Sequence, residues 1–126
     1  MKGFIAAAGL STRLGDLCEK QNKVLLDLGG ETILGNLLNQ FEKVGIDETH
    51  IAVGHHAVKV KQFCDKRANI ILNPFYEQVG ILSSIWLARP MLEGHPFVFS
   101  VGDHYSTLSR FQTFLADQPE ADILID

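Results

Sequence analysis

Three segments of this chain carry residue types suited to handling phosphate. The first is Ala7-Ala8-Gly9-Leu10-Ser11-Thr12-Arg13-Leu14-Gly15, directly after a short apolar run. Its small residues let backbone N–H groups approach and cradle phosphate oxygens, and Arg13 adds a charge matched to phosphate geometry. On spacing alone the segment fits two readings equally: a phosphate-binding loop, and a strand-to-loop turn with a surface arginine. It matches neither GxxxxGK[ST] nor GxGxxG, which disfavours two common nucleotide loops. The second is Lys23, at the start of the apolar segment NKVLLDLGG; taken alone it reads as an ordinary surface lysine. The third is FVFSVGDHYSTL, where Asp103 follows an apolar run and Gly102 leaves room for a ligand. Mg²⁺ takes one or two carboxylates plus phosphate oxygens, so Asp103 suits it; it equally suits a turn or a helix cap. His104 is a further ligand candidate, against the commoner packed or solvated histidine. His55-His56 offers no metal pair, because adjacent residues at a strand end are expected to point apart and no third ligand is near in sequence.

The elements that must position these residues alternate regularly. Gly3–Ala7 reads as a strand buried on both faces, and Leu10–Asn22 lacks periodicity and reads as a long loop. Thr32–Val44 is a helix with Thr32 as N-cap, a stripe of Leu34, Leu37, Leu38 and Phe41, and a stop at Gly45. Strands at Thr49–Val53 and Asn69–Leu72 flank a helix over Val58–Lys66. A helix capped at Ser83-Ser84 carries Ile85, Leu87, Ala88 and Leu92, with Pro90 ending or kinking it. A strand at Phe97–Phe99, a helix over Ser109–Asp117 and a strand over Ala121–Ile125 complete the series. Phe41, Phe63, Phe97 and Phe99 are assigned to the core. Short connections between alternating strands and helices predict one α/β domain over residues 1–126: a doubly wound, mostly parallel sheet with helices on both faces. Ligands in such sheets sit at the carboxyl ends of the strands, where all three segments fall. Because Ile123-Leu124-Ile125 ends the chain on a core-like strand, a C-terminal part of the domain is expected to be missing.

AAAGLSTRLG followed by a lysine in a short apolar segment resembles the signature of the nucleotidyltransferases with a nucleotide-diphospho-sugar transferase fold, the MobA-like NTP transferases. The resemblance implies that the first loop, Ala7 to Arg13, wraps the triphosphate and base, and that Arg13 and Lys23 neutralise phosphate charge as the catalytic cations. The family usually reads Pro-Lys where this chain has Asn22-Lys23. NPFYEQVGILSSIWLAR is similar to the family's base-contacting stretch and implies a nucleotide contact at Ser84, with Gly80 and Ser83 as neighbours. Members acting on choline phosphate often carry asparagines where this chain has Gly80-Ile81. FVFSVGDHYSTL resembles the cytidylyltransferase that activates inositol phosphate, and implies Mg²⁺ at Asp103. The resemblance covers the N-terminal half of the family's domain; the other half normally supplies the acceptor pocket and a second metal-binding aspartate.

The resulting expectation is transfer of a nucleoside monophosphate, CMP from CTP, to a phosphorylated small alcohol or a sugar phosphate, with release of pyrophosphate. Two alternatives remain: a molybdopterin cytidylyltransferase-like enzyme, and a non-catalytic nucleotide-binding or regulatory module, since the chain alone lacks the second aspartate. With 126 residues, 46% hydrophobic and 21% charged, the composition is that of one globular domain. A net charge of −4 argues against nucleic acid or an anionic membrane as partner. No apolar run approaches the roughly 20 residues that span a bilayer. A cytoplasmic location is expected, with Cys18 and Cys64 as free thiols. An apolar strand at a sheet edge makes a homo-oligomer a further expectation.

Overall fold

The computed structural model describes residues 1–117. Four strands form one parallel sheet: β1 (Lys2–Ala7), β2 (Glu48–Val53), β3 (Asn69–Leu72) and β4 (Phe97–Val101), in the order β3-β2-β1-β4. Four helices alternate with them: α1 (Ile33–Lys43), α2 (Ala57–Cys64), α3 (Ile81–Leu92) and α4 (Leu108–Ala116). The register sets Ile5 beside Ile51 and Ser100 across the middle of the sheet. The strand order reverses after β3, so that β4 lands on the far side of β1. This is the doubly wound topology, whose ligand crevice lies at the carboxyl ends where the order reverses.

Alternation along the strands divides the core in two. Ile5, Ile51, Val53 and Val98 face α1, α2 and α4, and meet Leu37, Phe41, Val60 and Phe111. Phe4, Ala52 and Ile71 face the opposite way and meet Ala88 and Leu92 of α3. In α1, Leu34, Leu37, Leu38 and Phe41 fall at i, i+3, i+4 and i+7, which puts all four on the buried face. Thr32 caps it, its side chain accepting from the Gly35 amide at 3.0 Å.

Several expectations are corrected. The long loop expected over Leu10–Asn22 is not wholly irregular: Thr12–Cys18 forms 3₁₀ turns, whose i→i+3 bonds leave no amphipathic period to read, and a further 3₁₀ turn, Lys23–Leu25, follows the loop. The helix expected over Val58–Lys66 closes at Cys64. Ser83 and Ser84 do not cap α3; the cap is Gly80, one turn earlier, and the Ser83 hydroxyl bonds the Val79 and Gly80 carbonyls. Pro90 does not end α3, which runs on to Leu92, because a proline in the last turn forfeits only one helix bond. Phe63, Phe97 and Phe99 are not core residues but 38%, 46% and 39% exposed. Phe97 and Phe99 lie on the α3 side of β4, which α3 leaves largely uncovered, since it packs on β1 and β2. The expected strand at Ala121–Ile125 lies outside the described residues.

Candidate active site

A cleft opens at the carboxyl ends of β1 and β4. Ala7, Ala8, Gly9, Lys23 and Asp103 line it, together with Gly80, the cap of α3, and Ser84 in the first turn of that helix. These seven, expected from four separate stretches of sequence, therefore line one cavity. Leu10, Ser11, Thr12 and Ser83 lie outside the lining, and the backbone of Arg13 falls in the 3₁₀ turn at Thr12–Cys18. Sequence reasoning missed Asn22, Asn73, Tyr76 and Val79, which also line it.

Asn22 is fully buried. Its amide nitrogen donates to the carbonyls of Ala7 (3.0 Å) and His55 (2.9 Å), and its oxygen accepts from the Val24 amide at 3.1 Å. One side chain thus ties the end of β1 to the loop after β2 and caps the turn that presents Lys23. The signal was available: an Asn directly before an apolar run is a helix-start residue. Asn73, also buried, donates to the hydroxyls of Ser83 and Ser84, both at 2.9 Å, and accepts from the Phe75 amide. It anchors the first turn of α3 against the end of β3. Only tertiary contact gives it this role.

Lys23 and Asp103, 80 residues apart, meet in an ion pair with Nζ 2.5 Å from Oδ2. Partial burial pushes the Asp103 carboxyl up, but the Lys23 hydrogen bond and charge together outweigh it, and its pKa lies below the ordinary carboxylate range. Asp103 is therefore ionised at neutral pH. The loop that carries it is fixed from α1: buried Gln40 donates to the Ser106 carbonyl, and the Ser106 hydroxyl donates to Gln40 Oε1 at 3.0 Å. Gly102 is required by close approach. A Cβ there would lie 2.8 Å from the Ala6 carbonyl oxygen and 3.0 Å from Ala7 Cα. His104 is half-buried outside the lining.

No side chain caps the amino end of α3, and Gly80 and Ile81 at that end line the cleft. The positive end of the helix dipole thus borders a cavity that also holds Lys23, a setting that attracts an anion. The donor set fits a divalent cation as well: an ionised carboxylate at the cleft edge, beside space for phosphate oxygens to complete the shell. The His55 and His56 rings do not point apart as expected. His56 takes a left-handed backbone, φ 53°, which folds the two rings together with centroids 4.1 Å apart.

A family model described as the MobA-like NTP transferase domain matches residues 3–124. The chain belongs to this family. Among relatives of this MobA-like chain is the CMP-5'-(3-aminopropyl)phosphonate synthase of Streptomyces rubellomurinus (strain ATCC 31215). The two are 28% identical over 103 residues, which is 78% of this chain and 16% of that protein. The CTP:phosphocholine cytidylyltransferase from Streptococcus pneumoniae superposes with a TM-score of 0.76 at 25% identity, over 82% of this chain and 45% of that one. The inositol-1-phosphate CTP transferase from T. maritima gives 0.66 at 21% identity, over 81% and 43%, a likeness of fold. The MobA-like chain thus spans less than half the length of either structure. Its Rossmann-like architecture is the one these transferases share. No helix among the described residues is long and apolar enough to cross a membrane. Cys18 and Cys64 are both buried free thiols.

Proposed function

We propose that this chain is the nucleotide-binding half of a cytidylyltransferase, which transfers CMP from CTP to a phosphorylated small alcohol or a sugar phosphate and releases pyrophosphate. The observation that carries the reading is the meeting of Lys23 and Asp103 at the edge of the cleft lined by Ala7–Gly9. A cation for the phosphates and an ionised carboxylate for Mg²⁺ stand side by side where the loop backbone can receive a triphosphate. The cytidylyl chemistry named for the relatives supports CTP over other nucleotides.

An oxygen of the acceptor's phosphate attacks the α-phosphorus; the new P–O bond forms as the bond from α-phosphorus to the β-bridging oxygen breaks. Pyrophosphate leaves with the electron pair. A phosphomonoester is largely dianionic at neutral pH, with its second pKa about 6, so no general base is needed. The work is to offset charge and to align the reactants. Lys23 and Arg13 neutralise the triphosphate, the Ala8-Gly9 backbone receives its oxygens, and Ser84 contacts the base, with Gly80 and Ser83 beside it. Asp103 would hold Mg²⁺, which would further neutralise phosphate charge.

Thermal-shift titration with CTP, UTP, GTP and ATP, each with and without Mg²⁺, tests the site. A ligand at 100 times its Kd that binds only the folded chain adds about 2.7 kcal/mol. The expected result is a Mg²⁺-dependent shift confined to CTP, with pyrophosphate release when phosphocholine or inositol 1-phosphate is added to the full-length protein. No shift with any of the nucleotides would sink the reading.

A further inference from the structure

In the limb of the loop that returns from Ser11 to Lys23, Cys18 is the one buried apolar side chain among the described residues, and Asn22 is the buried polar anchor at its end. Leu14 and Leu17 are exposed, Ser11 sits in the left-handed region at φ 61°, and Gly15 breaks the 3₁₀ turn. A segment with few buried apolar contacts opens readily unless other groups hold it. Those groups come from the start of α2. His56 Nε2 bonds the Glu19 carbonyl at 3.1 Å, and Lys59 Nζ donates to the Lys20 carbonyl. The His55 ring packs on His56 and lies 3.5 Å from the Cys18 carbonyl oxygen. Three successive carbonyls of the returning limb thus face side chains at the amino end of α2: His55 before the helix, its cap His56 and Lys59 in its first turn, next to the point where Asn22 grips the His55 carbonyl. None of the three α2-side residues lines the cleft.

We propose that His56 and Lys59 are positioning residues which clasp the returning limb, Cys18 to Lys20, and so hold the nucleotide-binding loop ordered before ligand arrives. The clasp lowers the ordering that binding must impose, which strengthens nucleotide binding without touching the ligand. This consequence rests on the function proposed above; the ordering of the loop does not.

The test combines His56→Asn, which tolerates the left-handed backbone but is too short to reach Glu19, with Lys59→Met, which keeps the stem and loses the donor. Amide hydrogen exchange reads the loop and titration with CTP and Mg²⁺ reads the site. Each hydrogen bond contributes about a 2- to 12-fold factor, so losing both should weaken binding by about 4- to 140-fold. Exchange over Thr12–Lys20 should quicken while β1 and β2 remain the slowest segments to exchange. Returning a donor with Lys59→Arg should recover part of both effects. Unchanged loop exchange overturns the clasp, as does exchange that quickens as much throughout the core as in the loop, which would make these residues general stabilisers. Faster loop exchange with unchanged affinity for the nucleotide overturns the link to binding. If loop exchange responds but the unaltered protein binds no nucleotide, the clasp stands and the proposed function fails.

Discussion

Replacing Asn22 by alanine removes three hydrogen bonds at a fully buried position: two donated to Ala7 and His55 and one accepted from Val24. A typical bond contributes about 0.5–1.5 kcal/mol net, so the loss is about 1.5–4.5 kcal/mol, the upper part applying where the freed carbonyls stay dry. For a domain of this size about 4 °C accompanies each kcal/mol, which puts the fall in midpoint at about 6–18 °C. Asn22→Pro is the informative companion, because it restores the Pro-Lys pair usual in the family. The Asn22 backbone, φ −69° and ψ 142°, already matches the fixed φ of proline. Proline therefore loses the same three bonds but recovers about 0.4–1 kcal/mol by restricting the unfolded chain. Urea and thermal unfolding should rank the proteins as wild type, then Asn22→Pro, then Asn22→Ala. An alanine variant within about 0.5 kcal/mol of wild type would refute the claim that Asn22 braces the site. A proline variant more stable than wild type would show that the backbone, not the side chain, sets this corner.

Lys23→Met should lower turnover about 100-fold or more in the full-length enzyme, while stability changes by less than about 1 kcal/mol, since the ion pair is partly exposed. Unfolding with normal turnover in the surviving fraction would contradict the role. The depressed Asp103 pKa means that the pair's contribution is present at neutral pH, above the ordinary carboxylate value of 3.8, and is lost as pH falls through the lower folded value. The same Lys23→Met change should raise the Asp103 titration followed by carboxyl-carbon NMR; an unmoved midpoint would refute the coupling. Gly102→Ala drives a methyl into the β1 backbone and should cost about 1–3 kcal/mol in chemical denaturation; a neutral result would mean that the loop shifts freely. Burial pushes the Cys64 thiol up to about 11, against a smaller opposing pull from Arg67, and a maleimide at pH 8 should label it only on unfolding. Rapid labelling of the native chain would contradict that burial.

The strand and helix order was legible because its signals are local. The α1 stripe, the Thr32 cap and the apolar strand runs each lie within a dozen residues, and alternating elements leave a doubly wound parallel sheet as the simple arrangement. The family resemblance grouped Ala8, Lys23, Ser84 and Asp103, and the topology agrees with that grouping for the loops that follow strands. Strand ends in one parallel sheet share an edge, so the loops that follow them converge. The serine cap failed for the opposite reason. Ser83 and Ser84 look like an N-cap, but the buried Asn73 side chain pairs with both hydroxyls, and the helix starts at Ile81 with Gly80 as its cap.

Sequence by itself determined the element types and the parallel sheet, because periodicity and the turn residues that bound each element are written in neighbours along the chain. Tertiary structure alone decided which polar groups find one another. The Lys23–Asp103 pair spans 80 residues, Gln40–Ser106 spans 66 and His56–Glu19 spans 37. It also decided that Phe97 and Phe99 stand exposed, since α3 lies over β1 and β2 and leaves that side of β4 open. A side chain's partner depends on the three-dimensional path of both chain segments, and no local pattern encodes that path.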